Sequence, residues 1–117
     1  MRQSAAALAL ICREEHGRGL WLARWNARWE AYAFVGGHKR PEETFRQCLV
    51  RELGEELGLR DGEFTVRGAA PVRLEYSAWS KSAGEATAYV IELFDVEVGD
   101  TSQPRIAADR RNRWLTR

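Results

Sequence analysis

Apolar residues along the chain form short runs that polar turns separate. The run over residues 5–12 is continuous, which is typical of a β-strand that is covered on both faces. A polar turn containing glycine follows at residues 14–19, and residues 19–25 predict a second strand. The two strands are therefore expected to form a hairpin at the start of the domain.

The segment between residues 20 and 35 contains two conflicting signals. Trp21, Trp25 and Trp29 recur every four residues, which is close to a helical period. The bulky Leu-Trp-Leu of residues 20–22 favours a strand instead, and residues 32–35 must be extended before the two glycines that follow. We therefore predict a strand, a loop and a second strand here.

Residues 44–57 give the strongest helix prediction in the chain. Thr44 and Gln47 have the spacing of a capping box, in which each side chain satisfies a free backbone N–H of the other residue. Gly58 follows the last helical residue, where a left-handed cap is usual. Gly54 weakens the helix by about 1 kcal/mol relative to alanine, so packing must compensate for it.

After this helix, β-branched and aromatic residues dominate. Strands are predicted over residues 64–67, 72–80, 86–98 and 113–116. A turn at residues 81–84 makes the middle two an antiparallel hairpin, and Pro104 predicts a break in the chain. Strands, one helix and further strands together predict an α/β domain of the α+β type with a mixed sheet.

Composition narrows the class of protein. The 117 residues fit one domain, residues 1–117, and their formal net charge of +1 argues against nucleic-acid binding by bulk charge. No apolar stretch approaches the ~18 residues of a membrane-spanning helix, and the short run after Arg2 lacks a signal-peptide cleavage site. Cys12 and Cys48 are too few for a disulfide scaffold. We expect a cytoplasmic protein with reduced thiols and no membrane partner.

Three glutamates of the predicted helix share one face. Glu55 and Glu56 lie about 60° and 40° to either side of Glu52 on a helix of about 100° per residue. Like charges at these spacings destabilise a helix, and Arg51 alone cannot neutralise all three. A simply solvated acidic face is the alternative interpretation, whereas a hard divalent cation, Mg²⁺ or Mn²⁺, would neutralise the charge.

The spacing around these glutamates decides between the two interpretations. Gly37, five residues, Glu43, seven residues and then residues 51–59 (RELGEELGL) match the pattern GX5EX7REUXEEXGU, where U is aliphatic. In this the sequence resembles the Nudix hydrolase family. The resemblance implies an α/β/α sandwich with a central mixed sheet and a catalytic loop–helix–loop. It also implies Mg²⁺- or Mn²⁺-dependent hydrolysis of a nucleoside diphosphate linked to another group, X.

The resemblance assigns roles to residues of the motif. The implied metal ligands are Gly37, through its carbonyl, and Glu52, Glu55 and Glu56. Arg51 would orient a glutamate and Glu43 would support the loop. The general base would be Glu52 or a glutamate outside the motif. The expected catalytic residues are Glu52, Arg51 and Glu55.

The signals for the substrate are weaker. Arg40 places a positive charge near the phosphate approach, at a position where many family members carry an acidic residue. Tyr76 lies 17 residues after Leu59, about where dinucleoside-polyphosphate hydrolases tend to carry a tyrosine, and Trp residues could stack on a base. The alternatives are a hydrolase of that subtype and a catalytically silent nucleotide-binding module.

The family resemblance also implies a helix after Trp114 and Leu115, packed on the sheet face opposite the catalytic helix. Only three residues follow Trp114 in this sequence, too few for a helix. The apolar face of the sheet therefore needs another cover. A short helix over residues 106–113, a second subunit or a missing segment of a longer protein would each supply one. Because residues 106–113 are poorly apolar, we expect a homodimer or a fragment that lacks its last helix.

Overall fold

The computed structural model describes residues 1–27 and 29–116, with backbone alone for residues 68–70. Within these residues the strands are β1 (Arg2–Glu15), β2 (Arg18–Asn26), β3 (Ala31–Ala33), β4 (Val35–His38), β5 (Phe64–Ser80), β6 (Glu85–Val98) and β7 (Asn112–Thr116). The helices are α1 (Phe45–Leu57) and α2 (Gln103–Ala108), with a 3₁₀ turn at Asp100–Ser102 between β6 and α2.

Strand β1 organises a mixed sheet whose order is β3-β2-β1-β6-β5. One edge of β1 pairs in parallel with β6 over ten residues of each strand. Its other edge is shared, because Ala6–Ala9 pair antiparallel with β4 whereas Cys12–Glu15 pair antiparallel with β2. Strand β7 pairs with β2, and β5 forms the far edge of the sheet beside β6. The predicted α+β class with a mixed sheet is confirmed.

Helix α1 packs on one face of this sheet. Ala7, Ala9 and Ile11 of β1 are fully buried beneath it, together with three leucines of α1. Those leucines are Leu49, Leu53 and Leu57. The intervening residues of β1, such as Ala6 and Leu8, are only half-buried. The prediction that β1 is covered on both faces is therefore wrong for the second face, because no helix in the described residues packs there.

The ends of α1 confirm the sequence prediction. The Thr44 hydroxyl accepts a hydrogen bond from the Gln47 amide at 3.1 Å, and the Gln47 side chain accepts one from the Thr44 amide at 2.8 Å. Gly58 has a φ of 66°, the left-handed conformation in which glycine carries no steric penalty. The cap residues therefore determine both ends of the helix that carries the glutamates.

Two predictions about the second half of the chain are corrected. Residues 64–80 form one strand, β5, with an irregularity in its pairing between Arg67 and Val72, where two separate strands were expected. Pro104 does not break the chain but lies in the first turn of α2, where its missing N–H is not needed and its fixed φ is favourable. The described residues thus contain a second α-helix that the prediction of a single helix missed.

Helix α2 does not cover the open face of the sheet. It ends at Ala108, so the helix considered over residues 106–113 is not formed, and Asn112 begins β7. Ile106 is nevertheless fully buried in the same core as α1, and Arg105 lies beside Gly58 at the end of α1. On the opposite face Leu74 is 45% exposed. A cover from a second subunit or from further chain stays a prediction.

No helix among the described residues has the length and hydropathy needed to cross a lipid bilayer.

The packing of α1 gives a testable difference between two of its residues. Replacing the buried Leu53 with alanine should lower the free energy of unfolding by about 2–5 kcal/mol, because it leaves a cavity in the core. Val50→Ala on the exposed side of the same helix should change it by less than about 0.5 kcal/mol. Urea unfolding of both variants measures the difference, and equal effects would contradict this packing.

Candidate active site

Two glycines in the middle of β4, Gly36 and Gly37, bring the sheet close to α1. Gly36 has a φ of 151°, and a Cβ there would collide with the carbonyl oxygen of Ala7 in β1. At Gly37 a Cβ would collide with the Glu52 carboxylate instead. Glycine is thus required at Gly36 for strand pairing, and at Gly37 so that the backbone can lie against a carboxylate of the helix.

The guanidinium of Arg51 is the centre of the acidic cluster. It makes a bidentate contact with Glu43, at 3.1 Å from Nε to Oε2 and 2.7 Å from Nη2 to Oε1. Its Nη1 donates to Glu52 Oε1 at 3.0 Å and to Glu55 Oε2 at 3.2 Å. Its Nη2 also donates to the His38 carbonyl at 3.0 Å. One side chain therefore links two glutamates of α1 to the loop that precedes the helix.

The ion pair between Arg51 and Glu43 changes the acidity of both groups. The hydrogen bonds from Arg51, together with one from the Arg40 amide, lower the pKa of Glu43 to about 2. The same contacts raise the pKa of Arg51 above its ordinary value. Glu43 is therefore a permanent anion across physiological pH, which suits a residue that holds a loop in place.

Glu56 has the opposite electrostatic character. Its Oε2 accepts a hydrogen bond from the Gly36 amide at 2.9 Å. Burial raises the pKa of Glu56 to about 7, and the negative charge of Glu52 adds to the increase, whereas Gly36 and the cationic Arg24 oppose it. The site therefore contains a half-buried carboxyl group whose charge is unfavourable until a cation approaches.

The donor atoms of this site fit a hard divalent cation. Carboxylate oxygens and the Gly37 carbonyl are the ligands that Mg²⁺ and Mn²⁺ prefer over nitrogen or sulfur. Within the described residues, no three side chains of the metal-ligating types converge on one point as they stand. Arg51 holds Glu52 and Glu55, and the Gly36 amide holds Glu56. The donors are thus assembled around the site but held by protein cations and amides.

A cavity of about 460 Å³ opens beside Glu56. Gly36, Gly37 and Glu56 form part of its wall. The remaining wall is mostly aromatic and aliphatic, and we call the whole the aromatic cavity. Its apolar side chains include Trp25, Trp29, Phe34, Tyr76, Tyr89 and Ile91. A ligand with a flat ring and a phosphate group would therefore find suitable surfaces side by side.

The two predicted substrate-binding residues have different positions. Tyr76 lines the aromatic cavity and stacks on Tyr89, with ring centroids 5.0 Å apart. Arg40 is not among the residues that line it, and its Nη2 lies 3.9 Å from Glu55 Oε1 with most of the side chain exposed. The structure thus places Tyr76 in the same cavity wall as Glu56, whereas Arg40 approaches Glu55 outside that wall.

The tryptophans that could stack on a base occupy different positions. Trp25 and Trp29 line the aromatic cavity, and Trp25 makes an edge contact with Tyr32 at 5.3 Å. Trp21 packs edge-on against Phe34 at 6.0 Å. Trp79, which is 67% exposed, is not among the residues lining the cavity.

Sequence reasoning missed Arg24, a nearly buried cation in the wall of the cavity. Its Nη1 donates to Asp109 Oδ2 at 3.0 Å and to Asn112 Oδ1 at 2.8 Å. These contacts join β2 to the segment between α2 and β7. The amide of Arg111 and the guanidinium of Arg24 lower the pKa of Asp109 to about 2. No local signal marks Arg24, because its acidic partner is 85 residues away in sequence.

Comparison with solved structures identifies the fold. The C. elegans Ap4A hydrolase superimposes with a TM-score of 0.70 at 21% identity, covering 99% of this chain and 81% of that chain. Shewanella oneidensis NrtR, in a complex with a 27mer DNA, gives 0.68 at 14% identity, covering 96% of this chain and 50% of that one. At these identities the likeness defines the fold.

A family model then assigns the chain. The model described as the NUDIX domain matches residues 1–116, and the protein therefore belongs to the Nudix family. RNA pyrophosphohydrolases of Pseudomonas paraeruginosa and Pseudomonas aeruginosa are 35% identical over 69 residues, which are 59% of this chain. The match covers 42% of those proteins, so this chain spans less than half the length of the curated relatives it matches.

The raised pKa of Glu56 predicts a pH-dependent stability. The folded protein holds this proton more tightly than the unfolded chain, so the contribution is complete below the ordinary value of 4.5 and is lost as the pH rises through about 7. In metal-free buffer, Glu56→Gln should therefore raise Tm at pH 8 and leave it nearly unchanged at pH 5. After allowing for solvent screening, we expect on the order of 1 kcal/mol, or about 3–6 °C.

Thermal melts of both proteins in a chelator at the two pH values provide the measurement. Glu42→Gln in the exposed loop is the matched control and should shift Tm equally little at both. A Glu56→Gln variant that is no more stable than the wild type at pH 8 would contradict this account.

Proposed function

We propose that this protein is a pyrophosphohydrolase that depends on Mg²⁺ or Mn²⁺ and cleaves a nucleoside diphosphate linked to another group, X. The observation that supports this best is the acidic cluster of α1, whose Glu56 lines the aromatic cavity. There Gly37 lies against the Glu52 carboxylate, and Arg51 ties Glu52 to the loop through Glu43. Phosphate chemistry and an apolar binding surface thus adjoin each other.

In this proposal the metal ligands are Gly37, Glu52, Glu55 and Glu56. A divalent cation bound by these residues would supply positive charge for the pyrophosphate oxygens and would lower the pKa of the attacking water. The Cys48 thiol donates to the Gly37 carbonyl at 3.4 Å, which fixes that carbonyl relative to the helix. Arg51 positions the Glu52 carboxylate, and Glu52 or another glutamate accepts the proton of the water.

The aromatic cavity provides the binding surface for the base or for X. A flat ring stacked on an aromatic side chain gains about 1–3 kcal/mol, and the Tyr76–Tyr89 pair presents such a surface beside Glu56. Arg24 contributes a fixed positive charge to the same wall, since its hydrogen bonds to Asp109 and Asn112 hold it in place. Arg40 remains a proposed contact for the outer phosphates of a longer substrate.

Two narrower candidates follow from particular observations. Tyr76 in the cavity and the fold of an Ap4A hydrolase favour a dinucleoside polyphosphate as substrate. A nucleotide-binding module without turnover is the other candidate, since the aromatic cavity would serve binding alone equally well. The intact REUXEE sequence of residues 51–56 favours the enzyme over the silent module.

Cellular context is part of the proposal. The sequence has two cysteines, Cys12 and Cys48, too few for a disulfide scaffold, which favours a reducing compartment, and we place the protein in the cytoplasm. We treat residues 1–117 as a single Nudix domain, and we propose that a second subunit covers the open face of its sheet.

A substrate panel tests the activity directly. Purified protein is incubated with nucleotide sugars, dinucleoside polyphosphates, nucleoside triphosphates and 5′-triphosphorylated RNA, each with Mg²⁺, with Mn²⁺ and with a chelator. The proposal requires cation-dependent release of two phosphate-terminated products from at least one substrate. Binding of a nucleotide without turnover would favour the silent module instead.

Removing single charges from the acidic cluster should abolish turnover. We expect Glu52→Gln and Glu56→Gln each to lower kcat by at least about a hundredfold, because each removes a charge from the proposed cation site. Glu42→Gln, which changes an exposed glutamate of the same loop, should retain activity. Steady-state kinetics at saturating Mg²⁺ provide the measurement, and wild-type turnover of Glu56→Gln would refute its assignment.

Binding of the cation should be visible without substrate. A cation that binds only the folded cluster stabilises the protein by mass action, so at tenfold above its Kd the gain is about 1.4 kcal/mol. We expect millimolar Mg²⁺ or Mn²⁺ to raise Tm of the wild type at pH 8, and to raise that of Glu56→Gln much less. A Tm that is unchanged by either ion would contradict the proposed metal site.

A further inference from the structure

The outer edge of β5 is exposed over residues 72–79. Among the described residues only β6 pairs with β5, so the other edge of β5 has no strand beside it. Residues 72–79 are all exposed, and this stretch contains no Pro, Gly or Lys. Proteins usually protect such an edge with lysine, proline or a bulge, because it can pair with another chain.

The sequence of this edge is self-complementary. Around Leu74 the chain reads apolar, positive, apolar, negative, apolar (Val72 to Tyr76). In an antiparallel pair with a two-fold axis at Leu74, the numbers of two residues that face each other across the pair add up to 148. Arg73 then faces Glu75 of the partner subunit, and Val72 faces Tyr76 of the partner subunit. Opposite charges and apolar side chains directly across a strand pair stabilise it.

We propose that the partner of this edge is a second copy of the same chain, paired β5 to β5 in antiparallel register about Leu74. An isologous two-fold interface requires one patch to complement itself, and this stretch meets the requirement. In the single chain Arg73 already contacts Glu75 at 2.7 Å and Glu92 at 2.8 Å. The pairing adds the partner's Glu75 to a guanidinium that is half-exposed.

The ends of the register limit its size and link it to the aromatic cavity. Pro71, which has no N–H, faces Ser77 of the partner subunit and ends the ladder. The interface is therefore at the small end of the range for specific complexes, and the dimer should dissociate on dilution. Tyr76 lines the cavity, so Val72 of the partner subunit lies next to the cavity wall in the dimer.

A cysteine pair tests the register. At the two-fold axis the Cα atoms of the two residues at position 74 are about 4.5–5.5 Å apart, which a disulfide can span. Two residues at position 72 would be roughly 14 Å apart, which a disulfide cannot span. Under mild oxidation Leu74→Cys should form a covalent dimer, and the matched variant Val72→Cys should form at least about tenfold less.

Both positions are exposed, and the wild type with Cys12 and Cys48 gives the background. Sedimentation velocity of the wild type from about 10 to about 500 μM should show a rising dimer fraction, as expected of a small interface. Equal cross-linking of the two variants, or a dimer that Leu74→Cys fails to trap, would overturn the register. A wild-type monomer over the whole range would overturn the dimer.

Charge substitution supplies an independent test. Arg73→Glu gives two acidic residues and Glu75→Arg two basic residues around Leu74, so each variant alone repels its own copy and should sediment as a monomer. A mixture of the two restores both opposite pairs and should form a heterodimer. If either variant alone dimerises as well as the wild type, the proposal is wrong. Melting curves of each variant check that it is folded.

Discussion

The arrangement of the site depends on one guanidinium among three carboxylates. Arg51 contacts Glu43, Glu52 and Glu55, and without it the acidic face of α1 would repel both itself and the loop before it. Arg51 also donates a hydrogen bond to the His38 carbonyl. The contacts that neutralise the acidic face of the helix are therefore the same contacts that hold the loop in place. Lysine could not replace Arg51, since one ammonium group lacks the fork that reaches several acceptors at once.

Close approach of backbone to backbone is the second condition for this geometry. Ala7 and Ala9 are small residues on the face of β1 that α1 covers, and Gly36 pairs with β1 where any side chain would collide with Ala7. The helix can therefore lie near enough to β4 for the Glu52 carboxylate to touch Gly37 and for Glu56 to reach the Gly36 amide. Small residues in the sheet set the position of large charged residues in the helix.

The parts that the sequence predicted well are those whose partners are near in sequence. The capping box, the left-handed Gly58 and the leucine stripe of α1 all concern residues within one or two turns, and each is confirmed. The continuous β5 and the helix α2 were missed because their existence depends on tertiary contacts. β5 pairs with β6 on both sides of the irregularity near Arg67, which keeps it one strand. Burial of Ile106 in the core stabilises α2, a six-residue helix that has little propensity of its own.

The same distinction explains why the proposed reaction is easier to predict than the substrate. The acidic half of the site comes from one contiguous segment, residues 36–56, whose spacing is visible in the sequence. The aromatic half is assembled from β1, β2, β5 and β6 and from residues before β4, so its composition follows from strand order and register.

Tyr76 meets Tyr89 only because β5 and β6 pair in a register that sets these two residues opposite each other. A one-residue shift of that register would turn Tyr76 to the other face of the sheet and remove it from the cavity. The composition of the proposed binding surface therefore depends on long-range register, which a single sequence does not encode in any local pattern.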